Sequence, residues 1–235
     1  MLLPLEKIKK FAENIQIEIS EDALARFDIF AKMVIEWNRK INLTAITDPE
    51  KMAVKHFMDS LTLLNAVSFE EGMSVVDVGT GAGFPGIVLL IMRPDLKITL
   101  IDSLKKRLSV IEKILAELGL TAEIIHSRAE DAGKIKSNLR ESFDVVTARA
   151  VADLYVLSEF CIPLCKKGGV FAAMKGKNIE EELSESKEHI KTLGGKTEKV
   201  CPFILDGGDE RNIIIIKKSS QTPTIYPRVF SKINK

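Results

Sequence analysis

The sequence is poor in cysteine, lacks a strong charge of either sign and has no long apolar run. Its three cysteines, an odd number without metal-type pairs, argue against a disulfide framework or a zinc site. Cys161 and Cys165 lie four apart on a predicted helix, where reduced core thiols are expected. The longest apolar run, around Gly86 to Met92, is far too short to span a bilayer. Met1-Leu-Leu-Pro-Leu-Glu-Lys turns polar too early for a secretory signal. A cytoplasmic, monomeric protein without membrane attachment is expected. Thirty-four Lys and Arg against 33 Asp and Glu leave a net charge of +1, so any nucleic-acid surface must be a local patch.

What is present suffices for a packed core, with 46% hydrophobic residues over 235 positions. Splitting the charge by segment shows where a patch could lie. Residues 1–66 carry nine basic and ten acidic side chains, and residues 67–216 carry 20 and 23. Lys217 to Lys235 carry five basic and no acidic ones, with Tyr226 and Phe230 among them. Such a tail can neutralise phosphates and stack on bases, or it can be a solvated terminus.

Residues 4–66 read as helical, with Leu24, Phe27, Phe30, Ala31 and Val34 at helical spacing after the capping Ser20-Glu21-Asp22. Asn42 to Pro49 breaks the pattern, and Glu50 to Asn65 resumes it. From Gly72 the pattern changes. Short apolar runs at Ser74–Val78, Lys97–Ile101, Thr121–Ile125, Phe143–Ala148 and Val170–Met174 alternate with helical stretches such as Leu104–Leu118 and Ile179–Leu193. This predicts a doubly wound α/β domain with a mostly parallel sheet covered on both faces. Glu198–Leu205 and Asn212–Lys217, separated by Asp206-Gly-Gly-Asp209, predict a C-terminal antiparallel hairpin. The expected divisions are a small helical subdomain (1–66), the α/β domain (67–218) and a basic tail (219–235).

Val75-Val-Asp-Val-Gly-Thr-Gly-Ala-Gly-Phe-Pro-Gly86 falls at the first strand-to-helix turn, where open α/β sheets bind ligands. Gly79, Gly81 and Gly83 permit a sharp turn and close approach of a ligand to the main chain. Asp102, which ends the next strand, can accept hydrogen bonds from ribose hydroxyls. A dinucleotide enzyme would share these features, and Gly81-x-Gly83-x-x-Gly86 matches its fingerprint literally. That match starts two residues late, however, and Asp77 would repel a pyrophosphate but not a cofactor carrying an ammonium and a sulfonium. Asp-x-Gly-x-Gly-x-Gly followed by a ribose acid is the pattern of class I methyltransferases, which use S-adenosylmethionine. Glycines serving only a tight turn remain the bland alternative.

Motif by motif, the chain resembles the glucose-inhibited division protein B family. The matching pieces are Asn42-Leu-Thr, His56-Phe-Met-Asp-Ser-Leu61, Gly79-Thr-Gly-Ala-Gly-Phe-Pro-Gly86, Asp102-Ser-Leu-Lys-Lys-Arg107, Ser127-Arg-Ala-Glu130, Ala148-Arg-Ala150, Met174-Lys-Gly176 and Tyr226-Pro-Arg228. The resemblance implies methylation of N7 of a guanine in bacterial small-subunit ribosomal RNA, acting on that RNA or a pre-ribosomal particle. It implies cofactor contacts from Gly79, Phe84, Ala129, Glu130 and Arg149, beside Asp77, Gly81, Asp102 and Ser103 from the loop and its acid. His56, Asp59, Arg128, Lys175 and Arg228 become candidate substrate contacts. Competing structural roles are a helix cap for Ser103, a capping box for Ser127-x-x-Glu130 and core packing for Phe84. After Arg228 the sequence reads Val-Phe-Ser-Lys-Ile, unlike the Gly/Pro/Lys-rich end frequent in the family.

Absences also narrow the chemistry. Thr147-Ala-Arg-Ala150 stands where exocyclic-amine methyltransferases carry an Asp/Asn-Pro-Pro-aromatic loop. Carbon-5 pyrimidine methylation needs a cysteine nucleophile, and Cys161, Cys165 and Cys201 are badly placed for one. Guanine N7 has a free lone pair and no proton to lose, so no general base, catalytic residue or metal is expected. A small-molecule methyltransferase and a non-catalytic RNA-binding factor with an idle cofactor loop remain alternatives.

Overall fold

The computed structural model of the chain describes residues 2–149 and 152–233. Seven strands form one sheet: β1 (Ser74–Val78), β2 (Lys97–Asp102), β3 (Glu123–His126), β4 (Phe143–Arg149), β5 (Cys165–Lys175), β6 (Gly195–Ile204) and β7 (Glu210–Lys218). Their order is β3-β2-β1-β4-β5-β7-β6. All neighbours are parallel except β7, which runs antiparallel to both β5 and β6. The doubly wound, mostly parallel sheet and its terminal hairpin are therefore as expected. The Asp206–Asp209 turn closes the hairpin, with Gly207 and Gly208 both at positive φ.

Alternation along each strand splits the apolar residues between two faces. Val75, Leu100, Val145 and Ile215 belong to one buried cluster, while Val76, Ile101, Val146 and Ile216 belong to the other. The second face is covered by α8 (Leu154–Cys161) and α9 (Glu180–Thr192). The first is covered by α5 (Gly86–Met92) and α6 (Lys105–Leu118), and also by the N-terminal helices. These are α1 (Leu5–Asn14), α2 (Glu21–Asn38), α3 (Pro49–Met52) and α4 (Asp59–Ala66), with α2 capped by Ser20 Oγ accepting from the Ala23 N–H; the short α7 (Ala129–Ala132) follows β3. Phe27, Phe30 and Phe57 lie in the same apolar cluster as Val75, Ile87 and Leu100, so packing runs uninterrupted across residue 66.

The helical stretch after Pro49 is less regular than its pattern suggests. Pro49–Met52 and Asp59–Ala66 are α-helical, but Ala53–Met58 between them widens into a π-helix. Such turns rotate side chains out of the usual register and concentrate at functional sites. This one carries His56.

Some sequence expectations need correction. Cys165 is not on a helix with Cys161: Pro163 ends that helix in a 3-10 turn, Ile162–Leu164, and Cys165 begins β5. Both thiols are buried and unpaired, and burial pushes the Cys165 pKa up to about 12. Neither Ser103 nor Ser127 caps a helix. Leu104 and Arg128 hold those cap positions without side-chain caps, and Ser127 Oγ donates to the Arg128 carbonyl.

The end of β7 and the segment that follows it are fastened to the domain by buried and half-buried side chains. Lys218 is 1% exposed, with its ammonium donating to the Ile162 and Leu193 carbonyls, at 3.0 and 3.4 Å, and pairing with Glu141 at 3.1 Å. Arg140 grips the segment further on through the Thr222 and Tyr226 carbonyls, at 2.7 and 2.8 Å.

Candidate functional site

Parallel strands end with main-chain groups and loops on one side of the sheet, so ligands collect there. After β1, Gly79 takes a φ of 73°, which a side chain with a Cβ tolerates poorly. The Gly79 and Thr80 N–H groups both donate to the Ile101 carbonyl, at 2.8 and 3.0 Å, which pins the loop to β2. Asp102 accepts from the Gly81 N–H at 3.0 Å and the Leu104 N–H at 2.8 Å. At Gly86 the reason for glycine is space, since a Cβ would come within 2.3 Å of Leu100 and 2.9 Å of Asp77.

Asp77 is fully buried beneath this loop. Its Oδ2 accepts from the Gly86 N–H at 3.0 Å. Its Oδ1 and the neighbouring Thr80 hydroxyl are both buried, and neither is in hydrogen-bond geometry. Burial pushes the Asp77 pKa up to about 6, against the pull of the Gly86 N–H and Arg149.

A cleft of about 380 Å³ opens beside the loop. Of the residues singled out from sequence, Gly79, Asp102, Ser103, Arg128, Ala129, Glu130 and Arg149 line it. Asp77, Gly81 and Phe84 do not. The Phe84 ring packs away from the wall, stacked between Phe30 and His56 at centroid distances of 4.6 Å each, and edge-on to Phe57. Its role in the structure is to join the N-terminal helices to the loop. Further wall residues escaped the sequence reading of the cofactor site, among them Arg107, Phe160 and Phe230.

A second cavity, of about 450 Å³, meets the first at Arg149. Its walls include His56, Asp59, Lys175 and Gly176, together with Arg211. Arg149 donates to Asp59 at 2.9 Å and to the Lys55 carbonyl at 3.0 Å, and its other amino group lies 3.3 Å from His56 Nδ1. Arg211 approaches Asp59 from the other side at 3.5 Å. Burial raises the Asp59 pKa while both guanidiniums oppose the rise. Burial and the Arg149 charge lower that of His56 to about 4, so the imidazole is neutral at physiological pH. Lys175 pairs with Glu182 at 2.7 Å.

Arg128 pairs with the buried Glu130 at 2.8 Å while its side chain stays 62% exposed at the cleft. Lys105 and Lys106 are also exposed, at the start of α6. Arg228 lines neither cavity. Its guanidinium holds the buried Glu159, with contacts of 2.7 and 3.0 Å, and its own main-chain N–H adds another at 2.6 Å. Those contacts, with His189 beside Glu159, push the Glu159 pKa down to about 2 against its burial. Ala150 lies outside the described residues. Among the described residues there is no cluster suited to a metal ion and no helix long and apolar enough to cross a membrane.

The sheet order, the glycine loop and the cleft define a class I methyltransferase dependent on S-adenosylmethionine. The residues suit that cofactor: each Asp102 oxygen accepts only one main-chain N–H, which leaves acceptor capacity facing the cleft, and the buried Asp77 carboxylate favours a cationic ligand. The chain belongs to the GidB family, described as rRNA small subunit methyltransferase G, whose model matches residues 23–214. It is 45% identical over 230 residues to a ribosomal RNA small subunit methyltransferase G of Clostridium perfringens, covering 97% of this chain and 96% of that one. A protein of the same name from Brevibacillus brevis is 48% identical over 225 residues, 94% of each chain. Among solved structures, a putative methyltransferase of Bacillus halodurans superposes with a TM-score of 0.53 at 15% identity, over 69% of this chain and 99% of that one.

Proposed function

We propose that this chain is a cytoplasmic enzyme that methylates N7 of a guanine in small-subunit ribosomal RNA, with the target base held in the cavity beyond Arg149. The observation that carries this reading is the meeting of two cavities at one side chain, one lined by the glycine loop and Asp102, the other by His56, Asp59 and Arg211. The relatives' name supports the RNA substrate.

In this reading Gly79, Asp102, Ser103, Ala129 and Glu130 hold the cofactor, Gly81 orients Asp102 through its N–H, and Asp77 and Arg149 set the local charge. When bound, the cofactor supplies an electrophilic methyl group on a sulfonium. The protein's task is to strip water from N7, align it and hold it. No proton leaves N7, so no residue need act as a base, and the neutral, hydrogen-bonded His56 is consistent with a positioning role. N7 must stay bare, so recognition falls on N1–H and the N2 amine, and Asp59 is the carboxylate in the cavity wall. Those edges are paired inside a duplex, so the base enters unpaired or flipped out.

Replacing the target guanosine by inosine, which keeps N7 but lacks the N2 amine, tests the reading. The expected loss in kcat/KM is about 1–3 kcal/mol, one hydrogen bond to a buried acceptor. Equal rates on the two bases in the same RNA would sink it.

The pH response follows from Asp77 and His56. A carboxyl whose folded pKa is raised stabilises the free protein most when protonated, below its unfolded pKa of 3.8, and that contribution is lost as pH rises through about 6. A cationic ligand favours the ionised form. Affinity for S-adenosylhomocysteine, which keeps the ammonium, should therefore fall as pH drops through about 6. At saturating cofactor, the single-turnover rate should stay nearly flat between about pH 6.5 and 8.5, since His56 is already neutral there. A bell-shaped profile in that window would contradict the assignment.

A further inference from the structure

The C-terminal segment returns to the cofactor cleft. Beyond Lys218 it is fastened at three places by side chains distant in sequence. Glu141 accepts from the Thr222 N–H at 2.8 Å, Arg140 holds the Thr222 and Tyr226 carbonyls, and Glu159 clamps Arg228 through both main chain and guanidinium. Glu159 belongs to α8 and its side chain is fully buried, so the last fastening is anchored inside the domain rather than on its surface. Two residues later a short 3-10 turn, Phe230–Lys232, sets the Phe230 ring in the cleft wall.

That ring is 56% exposed, so apolar surface remains on it that a ligand could cover. Its centroid lies 6.4 Å from that of Phe160, which is 4% exposed and lines the same cleft. Phe160 and Phe230 are the aromatic residues of the cleft wall among the described residues. They share the wall with Ala129 and Glu130, whereas of the polar groups of the ribose site Asp102 ends β2 and Ser103 follows it.

We infer that Phe230 is a cofactor-binding residue that closes the cleft over the adenine ring, held in place by the Arg228–Glu159 clamp. This rests on the reading of the cleft as the cofactor site. Adenine is the cofactor's flat aromatic part, and a purine face gains most from a ring that is otherwise exposed to water. Arg228 acts here as a positioning residue. It supports the turn that presents Phe230 and meets no ligand itself.

Calorimetric titration of the full chain with S-adenosylhomocysteine tests the inference. Phe230→Ala should raise the Kd by roughly tenfold, within the range that loss of one base-stacking ring produces. Phe230→Tyr should bind within about threefold of the parent. The free Phe230→Ala protein should melt at the parent temperature, because the side chain it removes is more than half exposed. A Kd within twofold of the parent for Phe230→Ala overturns the inference, as does a variant that loses only affinity for RNA. Asp102→Asn separates this from failure of the underlying site. If that variant binds normally, the cleft is misassigned; if it fails while Phe230→Ala binds normally, only the role of Phe230 is lost.

Discussion

Gly79→Val is expected to abolish measurable binding of S-adenosylhomocysteine, a loss of at least about a hundredfold in affinity, while the protein still unfolds cooperatively. Gly79 has a φ of 73°, and a β-branched residue there is strained by roughly 1–2 kcal/mol even before any ligand arrives. The N–H groups of Gly79 and Thr80 are both committed to the Ile101 carbonyl, so the loop cannot relax without breaking its tie to β2. Gly79 also lines the cleft, and the valine methyl groups would stand where the ligand approaches the main chain. Strain of this size is small against the stability of a domain of this length, so folding should survive while the site does not. Calorimetry together with a melting curve separates the two. Unchanged affinity would show that the cofactor does not approach this loop.

The sheet and the loop were legible in the sequence because both depend on local rules. Val75 and Val76 face opposite cores, and a strand buried on both faces must read as an unbroken apolar run. The glycines and Asp102 follow one another within a single strand–turn–helix–strand unit, and their spacing carries the geometry. Strand boundaries moved by a few residues. The third strand begins at Glu123 rather than Thr121, and the fifth starts five residues early, at Cys165, once Pro163 has ended the helix before it.

The second half of the site could not be read this way. Arg211 reaches Asp59 across 152 positions of sequence, from the start of β7, and only the strand order places that hairpin against the π-helical turn. Phe84 follows the third loop glycine and reads as a cofactor contact, but three rings from the N-terminal helices enclose it. At the C-terminus composition leaves two readings open, an RNA-binding tail and a solvated terminus. Five cations without an acid resemble an RNA-binding tail, but the acids that answer two of them, Glu141 and Glu159, lie far upstream.

Lys218→Ala should therefore act on stability rather than on RNA. The ammonium is buried, paired with Glu141 and bonded to two carbonyls and the Thr222 hydroxyl. Burial lowers its pKa and Glu141 opposes the shift, so the charge depends on its partner. Removing one member of a buried pair costs about 3–5 kcal/mol, because the other member and the carbonyls are left wanting. For a chain of 235 residues this corresponds to a fall in Tm of roughly 10 °C. Lys218→Met combined with Glu141→Gln should recover part of the loss, since the methionine restores the packing of the lysine stem and no buried charge remains. RNA binding provides the contrasting measurement. Lys105→Ala with Lys106→Ala, two exposed cations beside the cleft, should lower the salt slope of RNA affinity by up to about two units and leave Tm nearly unchanged. Lys218→Ala should leave the slope alone at temperatures where it remains folded. If it flattened the slope at an unchanged Tm, Lys218 would have to leave its buried site to meet RNA, and the segment would be a mobile arm rather than a fastened strap.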